Sequence, residues 1–145
     1  IGELALASIK STNVKFGHSG PMPPQVTEKF QRSKAAKFIS YIDEEGYPLA
    51  LPALSLFPCG HDVLEFGEGV LRAAGAVPPE PPFRLAASVI TFDPVAYQVK
   101  GTVTGYKNRL GAKMMRLEVD EVFSASPPLP GKRIDRTPAG EPAEV

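Results

Sequence analysis

The spacing of apolar residues changes character near residue 38. In the preceding stretch, "PQVTEKFQRSKAAK", Val26, Phe30 and Ser33 fall at helical spacing, and the leading proline is tolerated in a first helical turn. This pattern predicts a helix over residues 24–37. After it, β-branched and aromatic residues alternate with turn residues about every ten positions, which is typical of an all-β sandwich or barrel.

Six segments have the composition of strands. The clearest is "AKMMRLEVDEVF", which places Met115, Leu117 and Val119 on a mostly apolar face and Arg116 and Glu118 on a mostly polar one. A barrel wall with one face in water shows this alternation. The six strands are predicted at about residues 38–43, 48–56, 62–66, 84–92, 95–105 and 112–123.

Two turns join neighbouring strands. The first contains Asp43, Glu44, Glu45 and Gly46, where the glycine supplies the positive φ of a tight hairpin. We interpret this acidic tip as turn chemistry and not as a catalytic carboxylate pair, because nothing near it in sequence would raise a carboxylate pKa. The second hairpin turns at Asp93, which precedes a proline between two runs rich in Val, Ile and Tyr.

Prolines and charges mark the ends of the predicted domain. The β domain and its helix span residues 24–123, after an N-terminal arm, residues 1–23, that could add an edge strand. The tail, residues 124–145, is rich in proline and charge and poor in large apolar side chains. We expect it to be irregular and to lie on the surface or in a groove of a partner.

Length, hydrophobic content and charge balance limit the kinds of partner that the protein is expected to bind. The 145 residues and the 43% hydrophobic fraction suit one domain, and 16 basic residues balance 16 acidic ones. Neither nucleic acid nor a membrane is therefore an expected partner. An OB-like barrel that binds single-stranded nucleic acid is also disfavoured, because the sequence lacks the basic groove that such binding needs. No apolar run approaches membrane-spanning length, the start lacks a signal-peptide pattern, and Cys59 is the only cysteine. We expect a soluble protein of the cytoplasm.

Two motifs resemble binding sites only in part. "PCGHD" brings together Cys59, His61 and Asp62, but His18 is the sole other histidine, so we predict a loop and no metal site. The same spacing does not suit a Cys nucleophile with a His base. "GYKNRLGAK" has glycines six apart instead of the five of a phosphate loop, and neither Ser nor Thr follows Lys113.

We interpret "GYKNRLGAK" as a charged turn with Lys107, Arg109 and Lys113 in solvent. The alternative is that this turn meets an anionic ligand or an acidic surface of a second subunit. "FGEGVLRAAG" has two glycines directly after a strand and then Arg72. Glycines allow close approach of a phosphate and an arginine can clamp it, although a solvated arginine in a loop has the same sequence.

The order of these elements resembles the FMN-binding split-barrel superfamily that includes pyridoxamine 5'-phosphate oxidase. "SYIDEEGYP" at residues 40–48 resembles the first hairpin of that family, "ATVDEDGxP". "VKGTV" at residues 99–103 resembles its fifth-strand element "V-x-G-x-A". The likeness covers about residues 25–123 and lies in the order and spacing of these motifs.

The resemblance implies a six-stranded Greek-key split barrel, a homodimer, and FMN in clefts at the subunit interface. The isoalloxazine would lie along the second strand, and basic residues after the third would hold the phosphate. Carried over by position, the cofactor contacts fall on Leu51, Pro52, Ala53, Leu54, Phe66, Gly67 and Arg72.

Two functions are compatible with this resemblance. The first is an FMN-dependent oxidoreductase acting on a small-molecule substrate or electron donor, with no catalytic residue assigned. The second is a non-catalytic split-barrel module for binding or assembly that has lost its flavin or binds another ligand such as haem. The family's second-strand arginine is matched here by an apolar residue, and Leu71 and Ala73 replace the usual Ser and Lys beside the phosphate arginine.

Overall fold

The described residues form a curled antiparallel sheet with two short helices, which confirms the mainly β class. The computed structural model describes residues 20–73, 75, 79–93, 95–107, 110–126 and 131–136. The helices are α1 (Pro24–Gln31) and α2 (Gly69–Ala73). The strands are β1 (Ala36–Ile42), β2 (Pro48–Pro52), β3 (Phe57–Pro58), β4 (Val63–Gly67), β5 (Phe83–Ile90), β6 (Ala96–Lys107) and β7 (Lys113–Ser124).

The sheet has the strand order β2-β1-β5-β6-β7-β4-β3, and every neighbouring pair is antiparallel. Both predicted hairpins are present, as β1–β2 and β5–β6. In the first, Gly46 has φ 87°, and the Asp43 carboxylate accepts hydrogen bonds from the backbone N–H groups of Glu45 and Tyr47 at 2.9 and 2.8 Å. The acidic tip is therefore turn chemistry.

The structure corrects the strand count and two boundaries. There are seven strands among the described residues and not six, because the predicted strand over 48–56 ends at Pro52 and a turn closed by the Leu56 N–H and the Ala53 carbonyl precedes β3. The helix predicted over 24–37 ends at Gln31, since Arg32 is extended and β1 already begins at Ala36. Pairing of β1 with β5 overrides the helical spacing there.

The core lies inside the curl of the sheet and is closed by both helices. Phe30 of α1, Ile39 of β1, Phe66 of β4, Leu71 of α2 and Leu117 of β7 are fully buried. On β7 the predicted alternation is confirmed from Met115 to Asp120, where the apolar face is buried and the polar face is exposed. After the register shift it changes phase, because Val122 is buried and Phe123 only partly so. No helix in the described part of the chain has the length and apolarity needed to cross a membrane.

The segments that flank the sheet fall partly outside the described residues. Of the N-terminal arm, for which the sequence suggests an edge strand, only residues 20–23 are among the described residues. Of the tail, residues 131–136 lie along β7, where the Ile134 N–H donates to the Val122 carbonyl at 2.7 Å. The next link is from the Arg136 N–H to the Pro21 carbonyl, also at 2.7 Å, so this part of the tail ties β7 to the start of the described chain.

Gly101, the glycine of "VKGTV", lies at a β-bulge where the β6–β7 register shifts. A Cβ atom at this position would overlap the backbone oxygen of Glu118. Real Cβ atoms do not approach backbone oxygen so closely, so β6 and β7 could pair here only after moving apart. The close approach explains why this position needs a residue without a side chain.

Lys37 is a buried amine on the inward face of β1, only 1% exposed. Its Nζ donates to the Leu56 carbonyl at 2.9 Å and lies 3.5 Å from the centroid of the Phe57 ring. Desolvation lowers the pKa of Lys37 to about 7, because burial disfavours the charged form. One carbonyl and one ring face therefore do not replace the lost hydration.

Substituting Gly101 by alanine should destabilise the sheet. We expect Gly101→Ala to lower the free energy of unfolding in urea by about 3 kcal/mol or more, since the added methyl group meets backbone that cannot easily retreat. Gly105→Ala on the same strand is the matched control, because the nearest atom to its Cβ position is 3.7 Å away. The control should change stability by less than about 1 kcal/mol. Equal losses in both variants would contradict the explanation.

Removing the buried amine should make stability less dependent on pH. Between a folded pKa of about 7 and the ordinary 10.5, the unfolded chain binds more protons at Lys37 than the folded chain, so the free energy of unfolding rises with pH in this window. We expect Lys37→Met to remove on the order of 2 kcal/mol of that rise between pH 7 and pH 9.5, measured by urea denaturation.

Lys34→Met, at an exposed neighbouring position, is the control and should keep the wild-type slope. A Lys37→Met protein whose stability rises with pH as steeply as the wild type would show that this amine is charged in the folded state.

Candidate functional site

The segment between β4 and α2 places a buried carboxylate between two cations. The side chain of Glu68 is only 5% exposed, its Oε1 lies 2.6 Å from Arg72 Nε, and its Oε2 lies 2.9 Å from Lys113 Nζ. The ion pair with Lys113 and the hydrogen bond from Arg72 hold the pKa of Glu68 below its ordinary value. Glu68 is thus an ionised anchor that fixes two cationic side chains.

Local and long-range structure both contribute to this cluster. Arg72 reaches Glu68 through an i,i+4 pair across the single turn of α2. Lys113 arrives from the start of β7, because β4 pairs with β7 and the Glu68 N–H donates to the Lys113 carbonyl at 3.1 Å. The loop carboxylate and both cations therefore meet at the end of β4.

The cluster presents a net positive charge to solvent. The side chains of Arg72 and Lys113 are 70% and 52% exposed, whereas Glu68 is buried. Two cations against one carboxylate leave one positive charge, which suits an anionic group such as a phosphate. Glu68 weakens that attraction but fixes the positions of the two cations.

The seven predicted cofactor residues lie in contrasting environments. Ala53 and Phe66 are fully buried, and the Ala53 N–H already donates to the Lys37 carbonyl at 2.9 Å. Pro52 and Leu54 are exposed, and Leu51 and Gly67 are partly buried. Because α2 lies against β2, the helix that carries Arg72 contacts the second-strand positions.

After Pro58, which ends β3, the "PCGHD" segment is a loop as predicted, and the side chains of Cys59 and His61 have partners outside it. The Cys59 thiol donates to the Glu65 carboxylate at 3.0 Å, and desolvation together with this carboxylate raises the pKa of Cys59 to about 12. His61 is buried, and its Nδ1 lies 2.7 Å from the Thr27 hydroxyl. Within the described residues no group of three His, Cys, Asp or Glu side chains is placed to hold a metal ion.

The sequence predicts a role for Arg72 but not its carboxylate partner Glu68 or the second cation, Lys113, on that carboxylate. The sequence predicts a solvated turn at Lys113, with an anionic ligand or an acidic surface of a second subunit as the alternative, and the structure pairs this lysine with Glu68. Only the β4–β7 pairing reveals that contact, since the two residues are far apart in sequence. Glu68 itself stands between two glycines, which is the single local signal. The side chains of Lys107 and Arg109 lie outside the described residues.

Solved structures similar to this chain share its fold. HupZ from Group A Streptococcus aligns with a TM-score of 0.56 and 11% identity over 77% of this chain and 100% of that one. A variant of HupZ aligns with a TM-score of 0.54 and 10% identity, covering 71% and 98%. A candidate pyridoxamine 5'-phosphate oxidase from Lactobacillus delbrueckii aligns with a TM-score of 0.55 and 14% identity, covering 71% and 93%.

Neither a protein-family model nor a curated protein matches the sequence. At identities of 10 to 14% the structural likeness shows the fold alone. The chain has the pyridoxamine 5'-phosphate oxidase-like split-barrel fold, in the form of a curled seven-stranded sheet.

Proposed function

We propose that this protein is an FMN-binding, oxidoreductase-type split-barrel protein related to pyridoxamine 5'-phosphate oxidase, acting on a small-molecule substrate or electron donor. One observation carries the proposal: the cluster of Arg72, Glu68 and Lys113 follows β4, where the resemblance to that family puts the flavin phosphate. A solved structure with the same fold is a candidate member of that enzyme class.

The residues fit the phosphate better than the flavin ring. Arg72 and Lys113 are exposed cations held about one carboxylate, which is suitable for a dianion. At the ring positions, Ala53 and Phe66 are buried and Pro52 has no N–H to donate. Ring recognition would therefore depend on the exposed apolar surface of Pro52 and Leu54 and on backbone carbonyls.

In this proposal the residues of the chain hold and orient the cofactor. Arg72 and Lys113 bind the phosphate through charge-assisted hydrogen bonds, and Glu68 keeps both side chains in place. When bound, FMN supplies the hydride-transfer chemistry, and the protein contributes position and electrostatics. The barrel core behind β4 gives the phosphate site a rigid wall.

The second candidate is a non-catalytic split-barrel module for binding or assembly. It is favoured by the buried side chains at the ring positions and by the Glu68 carboxylate, which already occupies the proposed phosphate arginine. For haem as its ligand, His61 is poorly placed to bind iron, because it is buried against Thr27. The other histidine, His18, lies outside the described residues.

We further propose a homodimer in the cytoplasm without a nucleic-acid or membrane partner. The dimer follows from the resemblance to the split-barrel superfamily. The balanced charge and the single cysteine of the sequence support the other parts of this proposal.

Loss of the phosphate contact should weaken FMN binding. We expect Arg72→Ala and Lys113→Ala each to raise the FMN dissociation constant roughly 10- to 100-fold, because each removes a charge-assisted hydrogen bond. Quenching of FMN fluorescence on titration measures this. Riboflavin, which lacks the phosphate, should bind the variants and the wild type equally, and the exposed Lys34→Ala is the control.

A purified protein that is yellow, and that dithionite bleaches, would support the flavin proposal. A colourless protein that takes up no FMN at micromolar concentration would favour the non-catalytic module. An unchanged FMN affinity in Arg72→Ala would remove this residue from the site.

The assembly state is open to a direct measurement. We expect light scattering after gel filtration to give twice the 15.5 kDa mass of the chain at micromolar concentration. The mass should remain at that value on dilution if the dimer is obligate. A single-chain mass at every concentration would contradict the homodimer and, with it, a cofactor cleft shared by two subunits.

A further inference from the structure

The outward face of the sheet carries two adjacent grooves, of about 370 and 480 Å³. They share Gln98 and Lys100 of β6 and contain none of the seven residues predicted to contact a flavin. Ile42 and Pro48 give the first groove apolar walls, and Ile90, Tyr97 and Phe123 do so in the second. These volumes are in the range of sites for small molecules.

The charged groups around the grooves are mutually paired, with one exception. Arg84 binds Asp120 through both terminal nitrogens, and its Nη2 also lies 3.0 Å from Glu121. Arg133 pairs with Glu121 at 3.6 Å and with Asp135. Both arginines of this network are therefore occupied by carboxylates.

Lys100 is the exception. Its Nζ lies 5.0 Å from the centroid of the Phe123 ring, and no carboxylate of the described residues lies within 4.0 Å of it. The residue is partly buried at the point common to both grooves. A cation between apolar walls is attracted to an anion more strongly than one in open water, because the local dielectric constant is lower.

We infer that Lys100 and the grooves on either side of it bind a small organic monoanion with an apolar body, such as an aromatic sulfonate or carboxylate. One unpaired ammonium group matches one negative charge, and the groove walls match the body. The Gln98 amide adds a polar contact: one hydrogen of its Nε2 is donated to Ser88 Oγ at 3.3 Å, which leaves the second amide hydrogen to donate to the anionic group of the ligand.

The site inferred here and the proposed phosphate site lie at different places in the fold. The two sites share no residue, and Arg72 and Lys113 lie at the end of β4, whereas Lys100 is on β6. A second copy of the chain is the competing occupant of an outward sheet face with exposed Phe38, Ile42 and Ile90. Lys100 favours the anion, since an apolar contact between copies would bury its charge without a partner.

Two dyes with the same ring system test the inference. 1-Anilinonaphthalene-8-sulfonate carries one negative charge, and N-phenyl-1-naphthylamine is its neutral counterpart. We expect the full chain to bind the sulfonate with enhanced fluorescence and to lose affinity about tenfold in Lys100→Ala. The neutral dye should bind both proteins equally, which also shows that the groove is intact in the variant.

Lys100→Arg should retain most of the sulfonate affinity, and the exposed Lys34→Ala should retain all of it. Equal sulfonate affinity in the wild type and Lys100→Ala would overturn the inference. A second copy of the chain covering the grooves would also overturn it. In that case sulfonate binding would weaken as protein concentration rose, and Ile42→Lys would both dissociate the dimer and restore sulfonate binding. Loss of FMN binding leaves this result unaffected.

Discussion

The pairing of β6 with β7 is the interaction on which the rest of the structure depends. Each strand has 12 residues, and the pair lies in the interior of the sheet, where β5 joins one side and β4 the other. The two backbones approach so closely at Gly101 that a methyl group would meet the Glu118 carbonyl. The bulge at this point lets two such long strands stay paired while the sheet curls.

The β6–β7 pair positions residues of both candidate sites. The start of β7 brings Lys113 to the carboxylate of Glu68, and the middle of β6 holds Lys100 between two grooves. The tail is also held by this pair, since the N–H of Ser124, at the end of β7, donates to the Lys132 carbonyl at 2.8 Å. A shift of the β6–β7 register would therefore move the phosphate cluster and the sheet-face grooves together, and a one-residue slip would also exchange buried and exposed faces.

Local features of this fold could be predicted from sequence, and long-range ones could not. The β1–β2 hairpin depends on Asp43 and Gly46, which are neighbours of the strands they join, and the alternation in β7 reports its own burial. The helix boundary failed because residues before 38 pair with β5, a partner invisible to a local pattern. β3 has only two residues, too few for any periodicity to appear.

The sites show the same division. The glycines before Arg72 make it a candidate from the sequence alone, whereas Lys113 and Lys100 become candidates only through their neighbours on other strands. Lys37 is a different case: its side chain points inward in phase with Ile39 and Tyr41, so the alternation of β1 is regular but includes a polar residue. A sequence pattern that sorts positions by polarity must misplace such a lysine.

Comparing Glu68 with Lys37 shows what decides the state of a buried charge in this barrel. Both side chains are nearly inaccessible to solvent. Glu68 has two cations within 3 Å, and its lowered pKa favours the charged carboxylate. Lys37 has only a carbonyl and a ring, and its lowered pKa favours the neutral amine. Partner charge prevails over desolvation in the first case, and desolvation prevails in the second. The same comparison applies at the surface: among the described residues, Lys100 has no carboxylate within 4.0 Å, and Arg72 and Lys113 share the single carboxylate of Glu68. Net charge near zero therefore excludes a general attraction for polyanions but leaves room for small anions at these two places.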